Sequence, residues 1–148
     1  MPRSSVIALC NTSFETQEVL RELLQELGFQ PLTCHVDDIR RGKHDFLRFL
    51  EQQDPGVVLW DIAPPYAENW TFFQLVRSSH AMDGRKIVVS TTNKEMLDRI
   101  VGMDTHAHVV VGKPFDMEEL VRSIVVESGE EAPLERLREL VTNKTTVQ

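Results

Sequence analysis

Short apolar runs alternate with amphipathic stretches along this chain. Ser5 to Cys10 (SVIALC) reads as a buried strand, and Thr12 to Leu27 as a helix with Leu20, Leu23, Leu24 and Leu27 on one face. Thr12 and Glu15 resemble a capping box, and Gly28 is a helix stop. Leu32, Cys34 and Val36 alternate and predict a second strand. A charged helix from around Asp38 to Gln52 follows, with Phe46, Leu47 and Leu50 on its core side and Gly42 weakening its start. Val57 to Trp60 (VVLW) is a continuous apolar run, as a central parallel strand requires. Asn69 to Ser79 is a third helix carrying Phe72, Phe73 and Val76. Lys86 to Ser90 (KIVVS) is a fourth strand, and Asn93 caps a helix with Met96, Leu97, Ile100 and Val101. Val109 to Val111 is a fifth strand, and Asp116 caps a fifth helix with Met117, Leu120, Val121 and Ile124 inward.

Five strands alternating with five helices predict an α/β domain, a parallel sheet covered on both faces. Right-handed crossovers leave few topologies, and the flavodoxin-like doubly wound order 2-1-3-4-5 suits this size. The domain is expected over residues 1–127. Residues 128–148 are expected to hold a linker (SGEE), a short helix and a loose tail. In that helix Pro133 suits the first position, and Leu134, Leu137, Leu140 and Val141 form a stripe. Such a short helix needs a surface to pack on, either its own domain or a second copy in a homodimer.

Composition narrows the partners. The chain has 148 residues and a formal net charge of −7. That balance argues against nucleic acid and an anionic membrane surface, which call for a basic face. Two cysteines, Cys10 and Cys34, are too few for a disulfide framework and read as buried thiols in a reducing compartment. Neither a signal peptide nor a run of about 20 apolar residues stands out, so a cytoplasmic location is expected.

In an open parallel sheet, ligands bind at the carboxyl ends of the strands. Those ends carry Asn11, Thr12 and Ser13; Asp37 and Asp38; Asp61 to Pro65; Ser90 to Thr92; and Gly112 to Phe115. An acid, a hydroxyl and an ammonium (Asp61, Thr91 and Lys113) should therefore converge from the third, fourth and fifth strands.

With these residues the chain resembles the receiver domain of two-component response regulators, over roughly residues 5–127. The resemblance rests on Asp61 with Pro65 four positions on, on Thr91, and on the Lys113-Pro114-Phe115 turn leading into Asp116. It implies that Asp61 is the phosphoacceptor, Thr91 the switch hydroxyl and Lys113 the charge partner, and that the Lys113–Pro114 bond is cis. The partners it implies are a histidine kinase or phosphotransfer protein and a downstream protein, met through the faces around strands four and five. An aspartate can act as nucleophile toward a phosphoryl group, with a cation offsetting the charge on the transferring group.

Two departures qualify the resemblance. The acids expected after the first strand to hold Mg²⁺ are replaced by Asn11 and Thr12, leaving Asp61, the Ala63 carbonyl and Asn11 as ligands. Mg²⁺ should therefore bind weakly. Three positions before Lys113, the family's aromatic is replaced by Val110. The reading is a stand-alone receiver-like signalling domain, not an enzyme, with Asp61 as candidate phosphoacceptor. The alternative is a pseudo-receiver that acts by contact without phosphorylation. A more distant one is a small flavin- or nucleotide-binding protein, suggested by the hydroxyls Thr12, Ser13 and Thr16 at a helix start. His106 and His108 read as loop histidines. Asp37 and Asp38 read as caps, Trp60 as core and Trp70 as half-exposed.

Overall fold

A computed structural model describes residues 3–102, 108–112 and 117–146. Its strands are β1 (Val6–Asn11), β2 (Gln30–His35), β3 (Val57–Ile62), β4 (Lys86–Thr91) and β5 (His108–Gly112). They form one parallel sheet in the order β2-β1-β3-β4-β5, as the alternation of elements predicts. The helices are α1 (Phe14–Glu26), α2 (Val36–Arg40), α3 (Phe46–Gln53), α4 (Tyr66–Arg77), α5 (Lys94–Val101), α6 (Met117–Ser128) and α7 (Glu131–Thr146).

The two faces of the sheet hold separate cores. Ile7, Leu9, Val57, Leu59 and Val88 pack with Leu20 and Leu24 of α1 and Leu120, Val121 and Ile124 of α6. Ala8, Cys10, Val58, Trp60, Ile62 and Val89 pack against α3, α4 and α5. Successive residues of a strand point to opposite faces, so the sorting runs by alternation. Trp60 is fully buried, with Phe46 at 5.6 Å and Phe73 at 5.4 Å between ring centroids. Trp70 is also buried, beside Phe73, rather than half-exposed. Leu47, expected on the core side, is among the exposed apolar side chains.

Three helix expectations need correction. The stretch from Asp38 to Gln52 is two helices, because Gly42 turns the chain with φ 73° and Asp45 starts α3 by accepting from the Arg48 N–H. A positive φ suits glycine, which has no Cβ to clash. Asp37 and Asp38 lie in the first turn of α2, whose cap is His35. The cap of α1 is Ser13, which accepts from the Thr16 N–H, so Thr12 is free for another role. Helix α7 packs back on its own domain. Leu137 is buried in the α1–α6 core, with Leu134 and Leu140 packed against it. No helix among the described residues is long and apolar enough to cross a membrane.

The edge of the sheet opposite the strand carboxyl ends is clamped by one arginine. Arg85 is nearly buried and donates to the carbonyls of Leu50, Ala81 and Pro55 and to the Asp54 carboxylate, at 2.7–3.0 Å. Asp54, in the left-handed region with φ 49°, ends α3. Next to it Gly56 lies so close to the backbone of residue 3 that an added Cβ would sit 2.6 Å from the Arg3 carbonyl oxygen. The guanidinium of Arg85, and secondarily that of Arg3, holds the Asp54 carboxyl below its usual range. A carboxyl with a lowered folded-state pKa stabilises above its unfolded value and loses that contribution as pH falls through the folded one. Arg85→Met should cost about 2–4 kcal/mol in urea unfolding at neutral pH, because three carbonyls lose their donor. The Asp54 contribution is screened and small, and Asp54→Asn should remove only acid-range pH dependence. An Arg85→Met chain as stable as the parent would show that the clamp carries no weight.

Candidate functional site

Asp61 lies near the end of β3, 1% exposed. A buried carboxylate is costly unless it is hydrogen-bonded. Alternation and register decide which groups can reach it. Asp61 pairs with Ser90 on β4, and Ile62 with Thr91. Val88 lies in the same core as Leu59, so Ser90 shares the side of the sheet that Asp61 takes. Thr91 follows Val89 to the side of Trp60. The Ser90 hydroxyl accordingly donates to Asp61 Oδ1 at 2.9 Å. The fully buried Thr91 instead accepts from the Asn93 N–H at 3.4 Å. The geometry thus brings Ser90, not Thr91, to Asp61. The sequence offered no way to choose between two adjacent hydroxyls in an apolar strand.

From β1 comes the second donor. The Thr12 hydroxyl donates to Asp61 Oδ2 in a short contact. Thr12 is placed there by Asn11, whose Oδ1 accepts from the backbone N–H groups of Thr12 at 2.7 Å and Ser13 at 2.9 Å. This fixes the amide with its oxygen spent on the turn. Asn11 Nδ2 is buried without a hydrogen-bond partner among the described residues. Asn69 of α4 donates from Nδ2 to the Ala63 carbonyl at 2.6 Å, a contact the sequence did not suggest. Tyr66, at the start of α4, bonds Thr92 through their hydroxyls and so ties the β3–α4 and β4–α5 connections together. The Pro64–Pro65 peptide bond between Asp61 and Tyr66 is cis. Lys113, the Lys113–Pro114 bond, His106 and Asp116 lie outside the described residues.

Above Asp61 opens a cleft of about 260 Å³, whose walls include Thr12, His35, Asp37, Arg40 and Asn69. Divalent-cation binding can be tested on the groups around it. Mg²⁺ needs near-octahedral oxygen ligands, with carboxylates supplying charge. The three expected ligands are Asp61, the Ala63 carbonyl and Asn11. Both oxygens of Asp61 accept hydroxyl protons, the carbonyl accepts from Asn69, and what Asn11 has left to offer is a donor. Of the other acids near the strand ends, Glu15, Asp38 and Glu68 are exposed, and Asp37, in the cleft wall, pairs with Arg41 at 3.3 Å. Among the described residues no group of three or more His, Cys, Asp or Glu could hold a metal. Among the described residues, the groups around Asp61 do not fit a bound divalent cation.

Comparison with known proteins gives the class. No protein-family model matches the chain. It is 27% identical over 118 residues to the transcriptional regulatory protein GltR of Pseudomonas aeruginosa, covering 80% of this chain and 46% of GltR. The chain thus spans about half the length of the curated relatives it matches. Among solved structures, it superposes on a response regulator receiver protein from Burkholderia phymatum with a TM-score of 0.65 and 19% identity, covering 87% of this chain and 98% of that one. It also superposes on the receiver domain of the sensor histidine kinase PA1611 of Pseudomonas aeruginosa, with a TM-score of 0.61 and 23% identity over 85% and 98% of the two chains. That structure has magnesium coordinated in its active-site cleft. The solved structures establish the receiver fold. Together with the sequence relatives, they support a response-regulator receiver domain.

The Asp61 contacts are measurable. Thr12→Val and Ser90→Ala should each lower unfolding stability by about 1–3 kcal/mol, since each takes a donor from a buried carboxylate. The two losses should not add, because both partners share one carboxylate. The double variant Asn11→Asp, Thr12→Asp should be less stable than the parent in chelator and should gain calorimetric Mg²⁺ binding that the parent lacks. Equal Mg²⁺ affinity in the two chains would contradict the fit argument.

Proposed function

We propose that this receiver domain is a pseudo-receiver, which signals by protein–protein contact without Mg²⁺-dependent phosphorylation of Asp61. The observation that carries the reading is the Thr12 hydroxyl donating to Asp61 Oδ2, at a position where an acid would otherwise help to hold a metal. In a phosphoryl-accepting site the carboxylate is an unencumbered nucleophile and a cation offsets the charge of the incoming group. Here two hydroxyls hold the carboxylate, and the residues beside it do not suit a divalent cation. Asp61 is then a structural acceptor that fixes the β1–α1 turn to β3 and β4. Lys113, the charge partner that the resemblance implies, belongs to this reading as a counter-charge and not as a phosphoryl clamp.

The competing reading takes Asp61 as a live phosphoacceptor served by a histidine kinase or phosphotransfer protein. The open cleft above Asp61 favours it. Incubation with acetyl phosphate and millimolar Mg²⁺, followed by intact-mass measurement at low temperature, separates the two. The proposal expects no phosphoryl adduct on the parent chain. It also expects that Asp61→Asn, which keeps an acceptor for the two hydroxyls, retains partner binding. An adduct that disappears in Asp61→Asn would establish the phosphoacceptor and overturn the pseudo-receiver.

A further inference from the structure

The two cysteines are neighbours across the edge of the sheet. Cys10 of β1 and Cys34 of β2 are direct register partners in a parallel pair. Both lie in the core that contains Phe46, Leu50 and Trp60, so their side chains leave the sheet on the same side. Paired residues on neighbouring strands stand about 4.8 Å apart, and disulfides join Cα atoms about 4.4–6.8 Å apart. Both thiols are free. Burial, together with a hydrogen bond to Cys34, pushes the Cys10 thiol well above its ordinary pKa.

Cys34 has a second neighbour of a different kind. Its Sγ lies 3.9 Å from Nε2 of His44. The other ring nitrogen of His44, Nδ1, is buried without a hydrogen-bond partner among the described residues. His44 also lines a separate cavity of about 470 Å³ between α3 and α4, with Ile39, Phe46 and Phe72 in its wall. An imidazole therefore stands between a buried thiol and an opening to solvent, and its Nε2 can take the thiol proton. Neither the Asp61 site nor the proposed contact function uses any of these three residues.

We propose that Cys10 and Cys34 form a peroxide-responsive dithiol, with Cys34 the sulfur oxidised first and His44 its proton acceptor. The reaction balances with one molecule of hydrogen peroxide. Cys34 Sγ loses its proton to His44 Nε2 and attacks the peroxide oxygen. The O–O bond breaks, leaving Cys34 as a sulfenic acid and releasing water once the proton is returned. Cys10 Sγ then attacks Cys34 Sγ, the S–O bond breaks, a second water leaves, and the disulfide closes. Both sulfurs are oxidised and the peroxide is reduced. The bond would form one residue before Asn11 and His35, at the base of the cleft above Asp61, and would clamp β2 to β1 there. Gln17 already bridges the same place by donating from Nε2 to the carbonyls of Leu9 and Cys34, both at 2.9 Å.

The test treats the folded full chain with hydrogen peroxide, blocks remaining thiols with an alkylating reagent in denaturant, and reads intact mass and peptide linkage. The expected product is a monomer lighter by two hydrogens, with no alkylated cysteine and a Cys10–Cys34 linked peptide, restored by dithiothreitol. Cys10→Ala should stop at a dimedone-reactive sulfenic acid on Cys34. Cys34→Ala should leave Cys10 unoxidised, and His44→Gln should slow the first step several-fold with unchanged circular dichroism. Two alkylated thiols after peroxide, or a disulfide only between chains, would overturn the proposal. If an alanine variant fails to fold, the parent chain's linkage and its reversal by dithiothreitol decide the matter alone.

Discussion

Asp61 is a carboxylate with almost no access to water, placed near the carboxyl end of β3 beneath an open cleft. Burying an unpaired carboxylate costs several kcal/mol, so the groups that meet it decide whether the domain can fold in this form. Two hydroxyls, from Thr12 and Ser90, come from the strands on either side of β3. Removing an acid from the β1–α1 turn removes repulsion, and replacing it with a hydroxyl supplies a donor. Asn11 completes the exchange by spending its carbonyl on the turn that aims Thr12. Asn11, Thr12 and Ser90 thus act as one set of groups that suits a single acid.

The rest of the molecule keeps that arrangement in register. A slip of one residue between β3 and β4 would exchange Ser90 for Thr91 and bring Trp60 and Leu59 to the wrong faces. The aromatic cluster of Phe46, Trp60 and Phe73 resists such a slip on one face, and the α1–α6 core, covered by α7, resists it on the other. At the far edge Arg85 joins α3 to the start of β3 and the turn before β4. The geometry at Asp61 is thus fixed from the opposite end of the strands as well as from its own neighbours.

Much of this was legible in the chain. The alternation of apolar runs with amphipathic stretches predicts every described strand and the order of the sheet, because period and length are properties of the sequence. Asp61, and the neutral residues at Asn11 and Thr12, are legible for the same reason: each lies at the end of an unmistakable strand. What was not legible depends on side-chain direction. Ser90 and Thr91 are both hydroxyls in a fully apolar strand, where no polar face marks the parity. Thr12 looked like a helix cap until Ser13 was seen in that place. The break at Gly42 required knowing that a five-residue helix could stand alone ahead of α3, and the burial of Trp70 follows from Phe73 beside it.

Signalling by contact asks for a domain whose resting form is already complete, since no covalent event then reshapes it. The Tyr66–Thr92 contact fits this demand. Val110 supplies no aromatic hydroxyl from β5, while Tyr66, reaching from the start of α4, holds the β4–α5 connection from the other side. Ser90 is already bound to the unmodified carboxylate. A partner can shift such a domain only through differential affinity for its conformations, because a ligand moves an equilibrium no further than that difference allows. On the proposed reading, the surface near α5 therefore carries the information in its fixed shape. Any regulation must then act on the frame that positions this shape, and the β1–β2 edge, where Cys10 faces Cys34 just below the cleft, is a part of that frame with chemistry available to change it.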